Sequence, residues 1–310
     1  MAIQEFSRGL RIMITGANGQ VGWELTRSLL PLGEVVALDR SQCDLSRPET
    51  LSNIVNEIKP NMIVNAAAYT SVDEAEKEET LANTINGTAV GVLADEARKQ
   101  NALFVHYSTD YVFDGNKPTP YTEVDTPNPI NAYGLSKLAG EKSLRQVNDE
   151  YLIFRTSWVY ATRGNNFLRT IIRLSQEREE LGIVADQAGV PTWARLISET
   201  TAYCIRQSML ERKQGTFSSD IYHLTATGQT SWFGFAKKIV ELISPIVNEK
   251  SKLSVVKPIK TVEYPTPAKR PMNSCMTIDK LEQHFGLKMP KWDSALKLCL
   301  EDNCIDILSQ

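Results

Sequence analysis

The sequence predicts an α/β fold: a doubly wound parallel sheet followed by a smaller, discontinuous C-terminal lobe. Five short apolar runs precede residue 158, segments of helical periodicity separate them, and the alternation loosens afterwards. A chain of 310 residues exceeds one small core and suggests about two domains.

LRIMIT (10–15) reads as a buried strand, after a short tail of nine residues. The next helix places Val21, Leu25 and Leu29 on one face, with Gly33 as its stop. EVVALD (34–39) is the second strand. Ser46 and Glu49 have capping-box spacing, with Pro48 in the first turn, so a helix is expected to run to about Lys59. NMIVNAAA (61–68) is a third strand, and a long helix follows from about Thr80 to Gln100. ALFVHYS (102–108) is the fourth strand and YLIFRTS (151–157) the fifth, with a helix holding Tyr133 and Lys137 between them. Beyond Trp158, helical segments at 166–180, 194–213 and 232–247 alternate with short strands such as GIVAD and IYHLT. An irregular tail surrounds KTVEYPTPAKRPMNS.

Charge and composition narrow the function. With 34 basic and 37 acidic residues the net charge is −3, so no basic excess points to nucleic acid, and no apolar run is long enough to span a bilayer. The N-terminus lacks the features of an export signal. Five cysteines without a C-x-x-C pair fit free thiols in a reducing cytosol, so a cytoplasmic protein is expected. His106, His223 and His284 show no ligand spacing, and no catalytic metal is expected.

TGANGQVG (15–22) joins the first strand to the first helix. Its glycines, three apart, suit a tight turn, close approach to a pyrophosphate and close helix–sheet packing, while the helix N-terminus offers free N–H groups. The spacing is neither G-x-G-x-x-G nor a P-loop. Gly16, Asn18, Gly19, Gln20 and Val21 are the candidate cofactor contacts here. Asp39, ending the second strand, suits the ribose hydroxyls of NADH; Arg40 beside it suits the 2′-phosphate of NADPH, and both stay open.

YGLSK (133–137) sets Tyr133 and Lys137 one helical turn apart. An ammonium there draws a phenol down from its usual pKa of about 10, making a proton donor usable at neutral pH. Ser108, Thr109 and Asp110 read either as strand-end turn chemistry or as part of that site. The VDEAEKEE run (72–79) reads as a solvated helix start.

Taken in order, GANGQVG, NAAAYTSVDEAE, HYSTDYVFDG, NAYGLSKLAGE, FRTSWVY and DQAGVPT resemble the extended short-chain dehydrogenase/reductases, and within them the dTDP-4-dehydrorhamnose reductase family. The resemblance covers about Leu10 to Trp292. It implies a Rossmann-type N-terminal lobe and a smaller sugar-nucleotide lobe. The expected division is a dinucleotide-binding domain at 1–157, with segments near 194–226 returning to it, and a mainly sugar-nucleotide-binding lobe at 158–310. It also implies a catalytic set of Thr109, Tyr133 and Lys137. Ala66, Ala67 and Ala68 are implied beside the nicotinamide, Asp44 and Leu45 near the adenine, and Asn86 behind the lysine. Asp110, Tyr111 and Trp158 are implied on the substrate side, although Trp158 reads equally as packing. Arg270 suits a nucleotide diphosphate or an ordinary exposed position.

The implied reaction is reduction of the 4-keto group of dTDP-4-dehydro-L-rhamnose by NADPH or NADH. Tyr133 supplies the proton, Lys137 serves Tyr133 and the cofactor ribose, and Thr109 donates to the carbonyl oxygen. Tyr111 stands where related dehydratases carry a glutamate base, which disfavours elimination. A nucleotide-sugar epimerase and a non-catalytic regulatory subunit like that of methionine adenosyltransferase are the alternatives; retention of Thr109, Tyr133 and Lys137 favours an enzyme. A homodimer bridged by magnesium near Glu301 and Asp302 is a further implication of the resemblance.

Overall fold

The computed structural model describes residues 9–247 and 252–301. The expected N-terminal tail lies, apart from Gly9, outside the described residues, as does Asp302. Strands β1 (Arg11–Thr15), β2 (Glu34–Leu38), β3 (Met62–Asn65), β4 (Leu103–Thr109) and β5 (Tyr151–Thr156) match the five apolar runs. Between them run helices α1 (Gln20–Ser28), α2 (Leu51–Ile58), α3 (Val72–Ala75), α4 (Glu79–Asn83), α5 (Ala89–Lys99) and α6 (Ala132–Val147). The second half adds β6 (Val159–Tyr160), α7 (Phe167–Glu177), β7 (Glu180–Val184), β8 (Ala188–Gly189), β9 (Thr192–Trp193) and α8 (Ala194–Gln214). It continues through β10 (Asp220–His223), β11 (Thr230–Ser231), α9 (Trp232–Val247), β12 (Val255–Ile259), α10 (Asp279–Phe285) and α11 (Trp292–Glu301).

The main sheet is wholly parallel, in the order β2-β1-β3-β4-β5-β10. Alternate residues of each strand serve opposite faces, which makes the apolar runs nearly continuous in sequence. Ile12, Met62, Leu103 and Leu152 join Ile197, Ile205 and Met209 of α8 on one face. Met13, Ile63, Phe104 and Ile153 join Val55, Val90, Leu93 and Leu144 of α2, α5 and α6 on the other. A third cluster, including Tyr160, Ile171, Trp193, Phe235 and Leu296, builds a separate core from the later helices. Chain order reverses across the sheet between β1 and β3, and ligands of such sheets lie beyond the strand ends at that point.

Three local expectations change in detail. The capping box does not form: Ser46 donates to Asp44 Oδ1 at 2.8 Å, and a 3-10 turn at Pro48–Thr50 leads into α2. The first helix stops at Ser28, before a 3-10 turn (Leu30–Leu32) that contains Pro31. The expected long helix is continuous from Glu79 to Lys99 but opens into a π turn at Thr84–Thr88. That turn lies against α6, where a Cβ on Gly140 would come within 2.1 Å of the Asn86 carbonyl oxygen. Gly140→Ala is therefore expected to destabilise the fold by about 1–3 kcal/mol through overpacking, measured as the shift of the urea unfolding curve.

Candidate active site

The glycine turn closes onto the loop that follows β3. Gly16 has φ of +70°, and a Cβ there would lie 2.7 Å from the Ala67 backbone nitrogen. Gly19 starts α1 without any side-chain cap, so the helix N-terminus presents open N–H groups. Asn18 donates to Asp39 at 3.0 Å, joining the turn to the end of β2, and Ser41 donates twice to the same carboxylate. The Arg40 side chain is 77% exposed and lies 3.5 Å from Asp44. Asp44 is held by Ser46, and the neighbouring Leu45 is buried. Gln20 accepts a hydrogen bond from Asn166, the N-cap of α7, at 2.9 Å. A dinucleotide fits this cradle: the glycine turn has no Cβ to fill it, the helix end is uncapped, and a carboxylate and a guanidinium border it.

Thr109 ends β4, and Asn131 caps α6 by accepting from the Gly134 amide at 2.8 Å. This places Thr109, Tyr133 and Lys137 together at the carboxyl edge of the sheet. The Thr109 hydroxyl donates to Asp110 at 2.8 Å and lies within hydrogen-bonding reach of the Tyr133 phenol. Tyr111 meets the Tyr133 ring edge-on at 5.7 Å. Lys137 is buried; its Nζ donates to the Tyr107 carbonyl at 2.6 Å and lies 3.5 Å from His106 Nε2.

The expected acidification of the phenol is overturned. Burial pushes Tyr133 up to about 12, and the Thr109 hydroxyl only partly opposes this. Burial also brings Lys137 down to about 8, with Glu141 one turn away acting in the opposite sense. Asp110 is pushed up to about 7 by burial, against hydrogen bonds from Thr109 and Ser274. At neutral pH the phenol therefore carries its proton.

The other expected residues divide. Asn86, inside the π turn, bonds the Tyr69 backbone through both N–H and C=O and donates to Ser136, the residue before Lys137, at 2.9 Å. Trp158, with φ of +43°, stacks on Trp232 at 3.6 Å and packs over Gly189. Arg270 reaches the region of Tyr111 from the tail, but Asp73 holds its fork through bonds of 2.9 and 2.7 Å. Asp73 is thus a structural partner as well as part of a solvated helix start. Glu301 is exposed and pairs with Lys297; no group of three His, Cys, Asp or Glu suited to a metal occurs among the described residues. No helix among the described residues is long and apolar enough to cross a membrane. Reading the sequence missed Thr15, Asn65 and His106, which form a buried polar row behind Lys137. Their signal was a polar residue near the end of each apolar strand.

The family model described as the RmlD substrate binding domain matches residues 10–304. The chain belongs to this family. A dTDP-4-dehydrorhamnose reductase of Burkholderia thailandensis is 52% identical over 294 residues, spanning 94% of this chain and 99% of that protein. The protein of the same name from Escherichia coli K12 is 44% identical, over 94% of this chain and 98% of its own length. Among solved structures, the dTDP-4-dehydrorhamnose reductase of Bacillus anthracis in complex with NADP superimposes with a TM-score of 0.85 at 38% identity, covering 94% of this chain and 99% of that one. A Thermus thermophilus UDP-glucose 4-epimerase, 18% identical with a TM-score of 0.78, shares the fold.

The buried acid supplies a pH test. Because Asp110 keeps its proton in the folded state up to about 7, against 3.8 ordinarily, the folded protein binds more protons than the unfolded chain between those values. Its contribution is full below the unfolded pKa and disappears as pH rises through the folded one. Wild type is expected to lose on the order of a few kcal/mol relative to Asp110→Asn between about pH 4 and 7, read from denaturant unfolding across that range.

Proposed function

We propose that this chain is an NAD(P)H-dependent dTDP-4-dehydrorhamnose reductase, converting the 4-keto group of dTDP-4-dehydro-L-rhamnose to the alcohol of dTDP-L-rhamnose. The observation that carries the reading is a buried Thr109 and Lys137 grouped with the half-buried Tyr133, in a chain that also has an open glycine turn and is 52% identical to a reductase of that name. Gly16, Gly19 and the start of α1 hold the pyrophosphate. Asp39 and Arg40 border the adenosine ribose, and the alanines at 66–68 line the nicotinamide side.

A bound dihydronicotinamide supplies the hydride. The protein's part is the proton and the field. Thr109 donates to the ketone oxygen and fixes its position, and Tyr133 releases its proton there as charge builds. Lys137 then stabilises the phenolate. The raised phenol pKa suits this direction, since reduction requires the protonated form at the start. Arg270 grips the Asp73 carboxylate through two parallel bonds, and the same fork can grip two oxygens of a phosphate, so Arg270 suits the substrate's diphosphate.

Tyr133→Phe is expected to lower kcat by roughly 10²–10⁴-fold while leaving cofactor affinity nearly unchanged. The decline of reduced-nicotinamide absorbance with dTDP-4-dehydrorhamnose measures the first, and a fluorescence titration the second. A variant turning over at the wild-type rate removes Tyr133 as donor. We assign Arg40 to the 2′-phosphate of NADPH because its side chain is 77% exposed and needs only to leave Asp44. Arg40→Ala should then raise the KM for NADPH about tenfold, or about 1.4 kcal/mol, and leave that for NADH unchanged.

A further inference from the structure

Thr15, Asn65 and His106 occupy one row of the sheet: Thr15 pairs in register with Asn65, and Asn65 with His106. All three are at most 1% exposed, on the face where β1, β3 and β4 otherwise present Met13, Ile63 and Phe104. Their side chains are linked in series. Thr15 Oγ1 donates to Asn65 Oδ1 at 2.6 Å, Asn65 Nδ2 donates to His106 Nδ1 at 3.2 Å, and His106 Nε2 faces Lys137 Nζ at 3.5 Å. At the far end, Thr15 Oγ1 accepts from the Ala67 amide at 3.4 Å, in the alanine loop against the glycine turn.

We propose that His106 is a positioning residue for Lys137, matching its tautomer to the protonation state of the lysine through a chain that ends at the cofactor loop. The chemistry of the donors dictates this. With Asn65 Nδ2 donating to Nδ1, a neutral imidazole carries its proton on Nε2, which points at Nζ and suits the lysine amine. An ammonium needs an acceptor at Nε2 instead. The imidazole proton then sits on Nδ1, the Asn65 amide turns over to accept it, and Asn65 Nδ2 donates to Thr15. One proton is gained by Lys137 and none by His106. Full burial keeps the imidazole itself uncharged.

The charged and titratable groups facing the pair are few. On α6 they are Tyr133 and Glu141, the latter bound to Arg155 of β5 by a doubly hydrogen-bonded pair. Asp110 follows β4, while β1 and β3 contribute only Thr15 and Asn65. Of the two partners that Lys137 Nζ has among the described residues, the Tyr107 carbonyl only accepts, whereas His106 can reverse its hydrogen-bond sense.

The chain contains three histidines, so histidine-selective ¹⁵N labelling reads the tautomer directly in wild-type protein without substrate. His106 should remain neutral from about pH 6.5 to 9.5 while its proton moves from Nδ1 to Nε2, with a midpoint near that of Lys137 and no such change in Lys137→Met. A single tautomer throughout overturns the proposal. The consequence for catalysis rests on the reductase reading. Loss of the acceptor removes a charge-assisted bond from the ammonium, so His106→Phe should move the alkaline limb of kcat about one pH unit lower, with KM for the cofactor changing less than about threefold. His106→Gln, whose amide can also reverse its sense, should restore it. An unmoved limb in folded His106→Phe counts against the coupling, whereas absence of any reductase activity in wild type counts only against the functional reading.

Discussion

A lysine side chain buried against the edge of a parallel sheet sets the terms for everything around it. Lys137 is 2% exposed, and an ammonium so placed is tolerated only where fixed dipoles replace water. The Tyr107 carbonyl provides one such dipole, but only if α6 lies close to β4. Gly140 permits that approach by letting the helix backbone meet the Asn86 carbonyl, and the π turn around Asn86 opens the facing helix at the same level. Asn86 in turn holds Ser136 and the Tyr69 backbone. One polar atom below the surface thus fixes a helix position, a helix irregularity and a loop.

The same burial acts on every titratable group at the site in one direction, towards the uncharged form. The Asp110 carboxyl and the Tyr133 phenol hold their protons more tightly and the Lys137 amine more loosely than in water. For the phenol, desolvation dominates, and it is the Thr109 hydroxyl that partly opposes it. For a reduction this is productive. The phenol keeps the proton that the ketone oxygen needs as charge develops on it.

The sheet was legible because its strands are buried on both faces and their apolar runs contrast with helical periodicity. The glycine turn and the tyrosine–lysine spacing were legible because they are local. What failed was either competition between local partners or contact at long range. Ser46 has two possible partners, its own helix and Asp44, and spacing alone favours the wrong one. His106 looked isolated because its neighbours, Asn65 and Lys137, are 41 and 31 residues away in sequence and meet it only through strand register and helix docking. Trp158 likewise has its packing partners, Trp232 and Gly189, far away in sequence.

The C-terminal tail shows why the site cannot be assigned to the first half of the chain alone. Asn131, which caps the helix bearing Tyr133, also donates to the Lys269 carbonyl, and Arg270 next to it clasps Asp73 from α3. A second seam joins Gln20, at the start of α1, to Asn166 at the start of α7. Both contacts tie residues of the cradle and the catalytic helix to segments beyond the fifth strand, and both are polar and partly exposed. Such contacts fix direction while contributing little net stability. The large apolar clusters keep each part folded, and these few hydrogen bonds decide how the later segments meet the helix ends where the chemistry takes place.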